Sequence, residues 1–156
     1  MTTYFLDASA VVKRYLTEAG SDIVAGLVDS SATNTIILAE ITRVEVAAAL
    51  AARHRAGTGL TRRERDEAVA LLLRHCEREY RMIALTPEVL GRAVELTQNH
   101  RLRGYDAVQL AADLVVNNSL IAAGLSGLIF ITADRDLIQA ATAEQLPAED
   151  PGNPTT

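Results

Sequence analysis

The amino-acid sequence predicts an α/β fold: a central, mainly parallel sheet of four to five strands with helices on both faces. Three observations predict it. Short apolar runs without polar alternation recur at YFL, TIILA, MIAL and LIFIT, as in strands buried on both sides. Longer segments with helical periodicity separate them, and such alternation implies parallel crossovers. Of the 156 residues, 49% are hydrophobic but only 4% aromatic, and Trp is absent. One domain can therefore bury a real core, made mostly of Ala, Val, Leu and Ile.

The elements follow in order. Residues 3–7 read as a strand, being short, apolar and placed directly before a helical pattern. Two short helices are expected at 9–16 and 21–29, parted near Gly20. TIILA, 35–39, is the second strand. The Ala-rich stretch from Glu40 to about Ala56 is helical by propensity, and GTG at 57–59 ends it. Thr61-Arg62-Arg63-Glu64 matches a capping box and opens a helix to about Tyr80. MIAL, 82–85, is the third strand. Thr86-Pro87 starts a helix that ends near His100, because proline at the first helical position gives up no needed donor. A long helix spans about 104–123, LIFIT at 128–132 is the fourth strand, and a last helix runs from Asp134 to about Gln145. Residues 1–146 form one domain. The ending PAEDPGNPTT holds three of the four prolines and reads as a flexible tail, 147–156, with at most one short strand before it.

Composition narrows function. A net charge of −5 argues against coating nucleic acid by bulk charge, while leaving room for a local basic patch. Cys76 is the sole cysteine, so neither an internal disulfide nor a cysteine-based zinc site can form, which fits a reducing cytoplasm. The amino end lacks the features of a secretory signal. The longest apolar stretch, about 120–133, is broken by Gly124, Ser126 and Gly127 and is too short to span a bilayer. A soluble, cytoplasmic protein with no membrane contact is expected.

In parallel sheets, sites form beyond the carboxyl ends of the strands, and acids stand there. Asp7 follows the first strand and Asp134 the fourth, with Asp136 two residues on. Glu45 lies on the helix after the second strand, and Asp106 opens the long helix. Taken singly, each has a plain structural reading. Asp7 and Asp134 suit helix caps, Asp106 suits a first helical turn, and Glu45 is as readily a solvated glutamate. Together they carry more. Unit charges about 4 Å apart interact by roughly 4 kcal/mol at an effective dielectric of 20. Several such pairs must take up protons or share a divalent cation. All-oxygen ligation suits Mg²⁺ or Mn²⁺, ions that activate water and clamp phosphate oxygens.

Competing chemistry is sparse. His54, His75 and His100 sit on helical segments among charged residues and read as surface or helix-end positions. No Gly-rich phosphate loop, GxSxG elbow or HExxH pattern occurs. A haloacid-dehalogenase-like phosphatase needs a second Asp where Ser9 stands. A receiver domain needs a late-strand lysine, and Lys13 is the only lysine in the chain.

YFLDASAVVKRY, ITRVEVAAAL, LRGYDAVQLAAD and FITADRDL together resemble the PIN domain, most closely the VapC-type ribonuclease toxins of type II toxin–antitoxin pairs. The likeness spans residues 3–146 in the right order. It implies a three-layer α/β/α PIN-like fold and Mg²⁺- or Mn²⁺-dependent endoribonuclease activity. By position, Asp7, Glu45, Asp106 and Asp134 correspond to the catalytic and metal-binding acids, and Ser9 and Thr132 to hydroxyls beside the metal. The resemblance also implies an RNA substrate, a small cognate antitoxin and a homodimer. Lys13, Arg14, Arg101 and Arg103 lie near the acidic motifs and suit phosphate contacts or solvated helix ends equally. Arg53, Arg55, Arg62, Arg63 and Arg65 read as a solvated hairpin tip. The competing class is a catalytically silent PIN-like module that binds RNA or a protein partner, which metal-insensitive RNA binding without cleavage would reveal.

Overall fold

The computed structural model describes residues 1–57 and 59–154. Five strands form one all-parallel sheet in the order β3-β2-β1-β4-β5: β1 (Thr3–Leu6), β2 (Thr35–Ala39), β3 (Arg81–Ile83), β4 (Ile129–Ile131) and β5 (Ala148–Glu149). Phe5 is in register with Ile37 on one side and Phe130 on the other. The chain winds outward from central β1 to β2 and β3, then returns to β1's other side as β4. The reversal lies between β1 and β4, where a doubly wound sheet opens a crevice at its carboxyl edge.

The helices are α1 (Ala8–Val11), α2 (Ser21–Val28), α3 (Thr42–Arg55), α4 (Arg62–Arg78), α5 (Pro87–Asn99), α6 (Gly104–Ala122) and α7 (Arg135–Ala143). Neighbouring strand residues point to opposite faces, which splits the core in two. Phe5, Ile37 and Phe130 pack with Leu96, Leu110 and Leu137 from α5, α6 and α7. Leu6, Leu38 and Ile131 pack with Val24, Val46, Leu50 and Leu72 from α2, α3 and α4. The result is the expected α/β/α sandwich. The Phe5 and Phe130 rings meet edge to face at 6.2 Å, a favourable aromatic arrangement. Among the described residues, no helix is long and apolar enough to cross a membrane.

Several expectations need correction. The helix expected at 9–16 is split, with α1 passing into a 3-10 turn at Val12–Arg14. The flexible tail expected at 147–156 is in part sheet. Phe130 N donates to Pro147 O and Thr132 N to Glu149 O, so β5 is held by backbone bonds that its Ala-Glu sequence does not advertise. Gly20, at φ +89°, lies under the same segment, where an added Cβ would meet Pro151 O at 2.6 Å. Thr155 and Thr156 lie outside the described residues, as does Thr58 of the GTG break. Gly57 and Gly59, either side of Thr58, both have positive φ.

The histidine at 75 stands in the last turn of α4, so the helix-end reading holds and the surface one does not. It is 8% exposed, and its Nδ1 lies 2.7 Å from the Tyr15 hydroxyl, which also contacts the Tyr80 hydroxyl at 3.0 Å. Burial lowers its pKa, and Arg14 lowers it further. Lys13 is also buried and pairs with Glu18 at 3.1 Å. Arg14 reaches Tyr80 and Glu79, beside a cleft of about 590 Å³ near the amino ends of β2 and β3. Both cations are thus committed away from the acids.

The capping box at Thr61 forms as expected. Glu64 N donates to Thr61 Oγ1 at 3.2 Å, and Thr61 N donates to Glu64 Oε2 at 2.7 Å. Thr61→Ala should therefore cost about 1 kcal/mol, read as a lower urea midpoint with an unchanged slope.

Candidate active site

Asp7 stands where β1 ends and α1 begins, and its surroundings explain its fixed position. Its Oδ1 accepts from Ala10 N at 3.0 Å and from Ser9 Oγ at 2.6 Å. Its Oδ2 accepts from Thr132 Oγ1 at 2.6 Å. The carboxylate is therefore a helix cap, held through both of its oxygens. Ser9 Oγ accepts in turn from Ala133 N, and Thr132 Oγ1 accepts from Asp134 N. Two hydroxyls thus tie the end of β1 to the end of β4. Asp7 is 4% exposed. Burial raises its pKa from 3.8 to about 6, against the pull of the Ser9, Thr132 and Ala10 hydrogen bonds, with a smaller push from Glu45.

The other acids extend from Asp7 toward solvent. Glu45, in the first turn of α3, is half-buried, with Ala48 and Ala52 on its helix exposed to solvent. Its pKa is raised by burial and by Asp106, against a hydrogen bond from Gln109. Asp106, in the first turn of α6, is raised by burial and then by Asp134, with Asp136 adding less. Asp134 caps α7 by accepting from Asp136 N and Leu137 N. Asp106, Asp134 and Asp136 share a cleft of about 590 Å³ with Thr97, His100, Arg101, Leu102 and Arg103. Asp7 and Glu45 do not line that cleft, but the run of mutual charge effects links them to it.

Two residues of α6 belong to this arrangement and were not singled out in the sequence. Gln109 is 2% exposed, and its Nε2 donates to Thr42 Oγ1 at 2.9 Å and to Glu45 Oε1 at 2.8 Å. Asp113 is fully buried, and both its carboxyl oxygens lack a hydrogen-bond partner among the described residues. Its pKa is raised well above the usual carboxylate range by burial and then by Asp7. Asp106, Gln109 and Asp113 recur at three- and four-residue spacing on one helix face. That polar stripe was the available signal, inside a segment that otherwise reads as apolar.

A PIN-domain family model matches residues 4–143. The chain belongs to the PIN-domain family. Curated relatives include Ribonuclease VapC45 and Ribonuclease VapC49, from two strains of Mycobacterium tuberculosis. Each is 35% identical over 150 residues, covering 92% of this chain and 92% of the relative. Among solved structures, VapBC2 from Rickettsia felis bound to a promoter DNA fragment superposes with TM-score 0.63 at 12% identity, covering 96% of this chain and 98% of that one. The Mycobacterium tuberculosis VapC20 toxin, which cleaves the sarcin–ricin loop, superposes with TM-score 0.57 at 17% identity, covering 88% and 94%. These superpositions establish the shared fold.

The acids of this PIN domain suit a hard divalent cation by donor chemistry. All are carboxylates, and burial raises Asp7, Glu45 and Asp106, with a smaller push from a neighbouring acid in each case, which a cation would relieve. Among the described residues, no three acidic, histidine or cysteine side chains converge tightly enough to hold an ion by themselves. Arg101 and Arg103 are exposed at the cleft, and no ion pair engages either among the described residues. In the hairpin, Arg53, Arg62, Arg63 and Arg65 pair with Glu18, Asp66, Glu67 and Asp66. Arg135, exposed between Asp134 and Asp136, adds a third cation without an ion pair among the described residues.

Proposed function

We propose that this chain is a metal-dependent endoribonuclease, the toxin of a type II toxin–antitoxin pair, acting on RNA in the cytoplasm. The observation that carries the reading is the run of acids from buried Asp7 to the open cleft, faced by two unpaired arginines. Asp7 and Asp106 would hold Mg²⁺ or Mn²⁺, with Glu45 and Asp134 completing its surroundings. When bound, such a cation lowers the pKa of a water to make the nucleophile and neutralises charge on the phosphate oxygens. The remaining work belongs to the side chains. Ser9 and Thr132 keep Asp7 oriented through both of its oxygens. Arg101 and Arg103 offer forked donors to the phosphates flanking the scissile one.

The partners follow the relatives. The Rickettsia felis structure is a VapBC complex, and a Klebsiella pneumoniae neighbour is a toxin–antitoxin complex. A small cognate antitoxin is the expected partner here, with the toxin as a homodimer. Purified protein should cut total RNA with added Mg²⁺ or Mn²⁺ and stop on chelation. RNA binding that ignores the metal, with no cleavage under either ion, would replace this reading with a silent binding module.

A further inference from the structure

Gln109 holds a position that packing alone does not explain. It lies on α6 at the buried interface with α3, where an apolar side chain would serve the core better. Its amide nitrogen is fully used, by Thr42 Oγ1 and Glu45 Oε1. Its amide oxygen is buried without a partner among the described residues. An unsatisfied buried acceptor is destabilising, a cost that an apolar side chain here would not carry. Reversing the amide offers no relief, because Oε1 would then face the Glu45 carboxylate. The orphaned oxygen is the consequence of turning both N–H groups toward Thr42 and Glu45.

The geometry points to Gln109 as a positioning residue: it holds Glu45 through Oε1 and leaves Oε2 as the oxygen available to the divalent cation. Glu45 projects from the first turn of an exposed helix, and a free glutamate there has several rotamers. One hydrogen bond from a buried, fixed amide selects among them and favours the ionised form. Thr42, one turn earlier on α3 and fully buried, anchors the same amide and thereby ties its orientation to the helix that carries Glu45. The arrangement follows a general pattern in which outer residues orient metal-binding ones. This inference rests on the metal-dependent reading of the site.

The test is calorimetric titration of metal-free full-length protein with Mn²⁺ alone. Gln109→Met keeps length and approximate volume while removing both the N–H donors and the orphaned oxygen. Mn²⁺ affinity should fall about 10-fold or more, while the melting temperature without metal stays level or rises. Combining Gln109→Met with Glu45→Gln should weaken binding no further than Glu45→Gln alone, since Gln109 acts through that carboxylate. Gln109→Leu is a second apolar replacement and should behave alike. Unchanged Mn²⁺ affinity in either variant, or losses that add in the double variant, would overturn the positioning role. If Asp7→Asn weakens Mn²⁺ binding while both Gln109 variants bind normally, the site stands and only the role of Gln109 falls. If the wild type binds no Mn²⁺, both readings fall.

Discussion

Asp7→Asn should abolish most RNA cleavage while making the metal-free protein more stable at pH 7.5. The first half follows from the proposed chemistry. A metal-binding carboxylate supports several kcal/mol of transition-state stabilisation, and about 1.4 kcal/mol is tenfold in rate, so cleavage should fall about 10²–10³-fold. The second half follows from burial. Asp7 is raised from 3.8 to about 6, which at 1.36 kcal/mol per pH unit places about 3 kcal/mol against the ionised form. Asparagine carries no such charge and fits the network. Its Oδ1 can keep Ser9 Oγ and Ala10 N, while Thr132 Oγ1 turns to accept from Nδ2. The Thr132 proton is then free for Ser9 Oγ, 3.3 Å away. Cleavage assays on total RNA and thermal unfolding in chelator read the two halves separately. Cleavage within tenfold of wild type would remove Asp7 from the site. A lower melting temperature at pH 7.5 would contradict the burial argument.

That dual role bears on what the sequence could reveal. Asp7 and Asp134 were visible because each ends a continuous apolar run, and both do cap helices. The strands at TIILA and LIFIT were legible for the same reason, since burial on both faces leaves an unbroken apolar signature. β5 was not legible, because its two residues contribute backbone bonds rather than apolar side chains. Its place against Gly20 through Pro151 depends on a close approach between segments over 120 positions apart. The helix-end place of His75 is legible but its burial is not, because its neighbours in sequence are charged whereas its partners Tyr15 and Tyr80 arrive from other elements. Gln109 and Asp113 lie within LRGYDAVQLAAD, yet their burial has no signature there. A polar residue in an Ala-rich helix reads as solvated until the sheet is laid against that face.

Asp113 yields the second large effect: Asp113→Ala should stabilise the metal-free protein, and by more at pH 7.5 than at pH 4. The carboxyl is fully buried, its oxygens lack partners among the described residues, and Asp7 adds an adverse charge. In the unfolded chain it titrates as an ordinary aspartate. In the folded chain its pKa lies well above 3.8. Between those values the native state holds the proton that the unfolded state has released, so stability falls as pH rises. Asp7 acts in the same direction up to about pH 6. Wild-type protein in chelator should therefore lose stability from pH 4 towards neutrality, and a bound cation should offset part of that loss by mass action. Alanine removes the orphaned acceptors, improves helix propensity, and leaves a cavity little larger than a carboxyl group. The net gain at pH 7.5 is expected at about 1–3 kcal/mol. At this chain length, about 2–4 °C per kcal/mol makes it a readable shift in melting temperature. Thermal unfolding in chelator at pH 4 and pH 7.5 provides the four numbers needed. A variant that melts lower than wild type at pH 7.5 would mean that Asp113 has a partner which lowers its burial penalty. A gain that is equal at both pH values would mean that the penalty lies in the unpaired oxygens rather than in the charge.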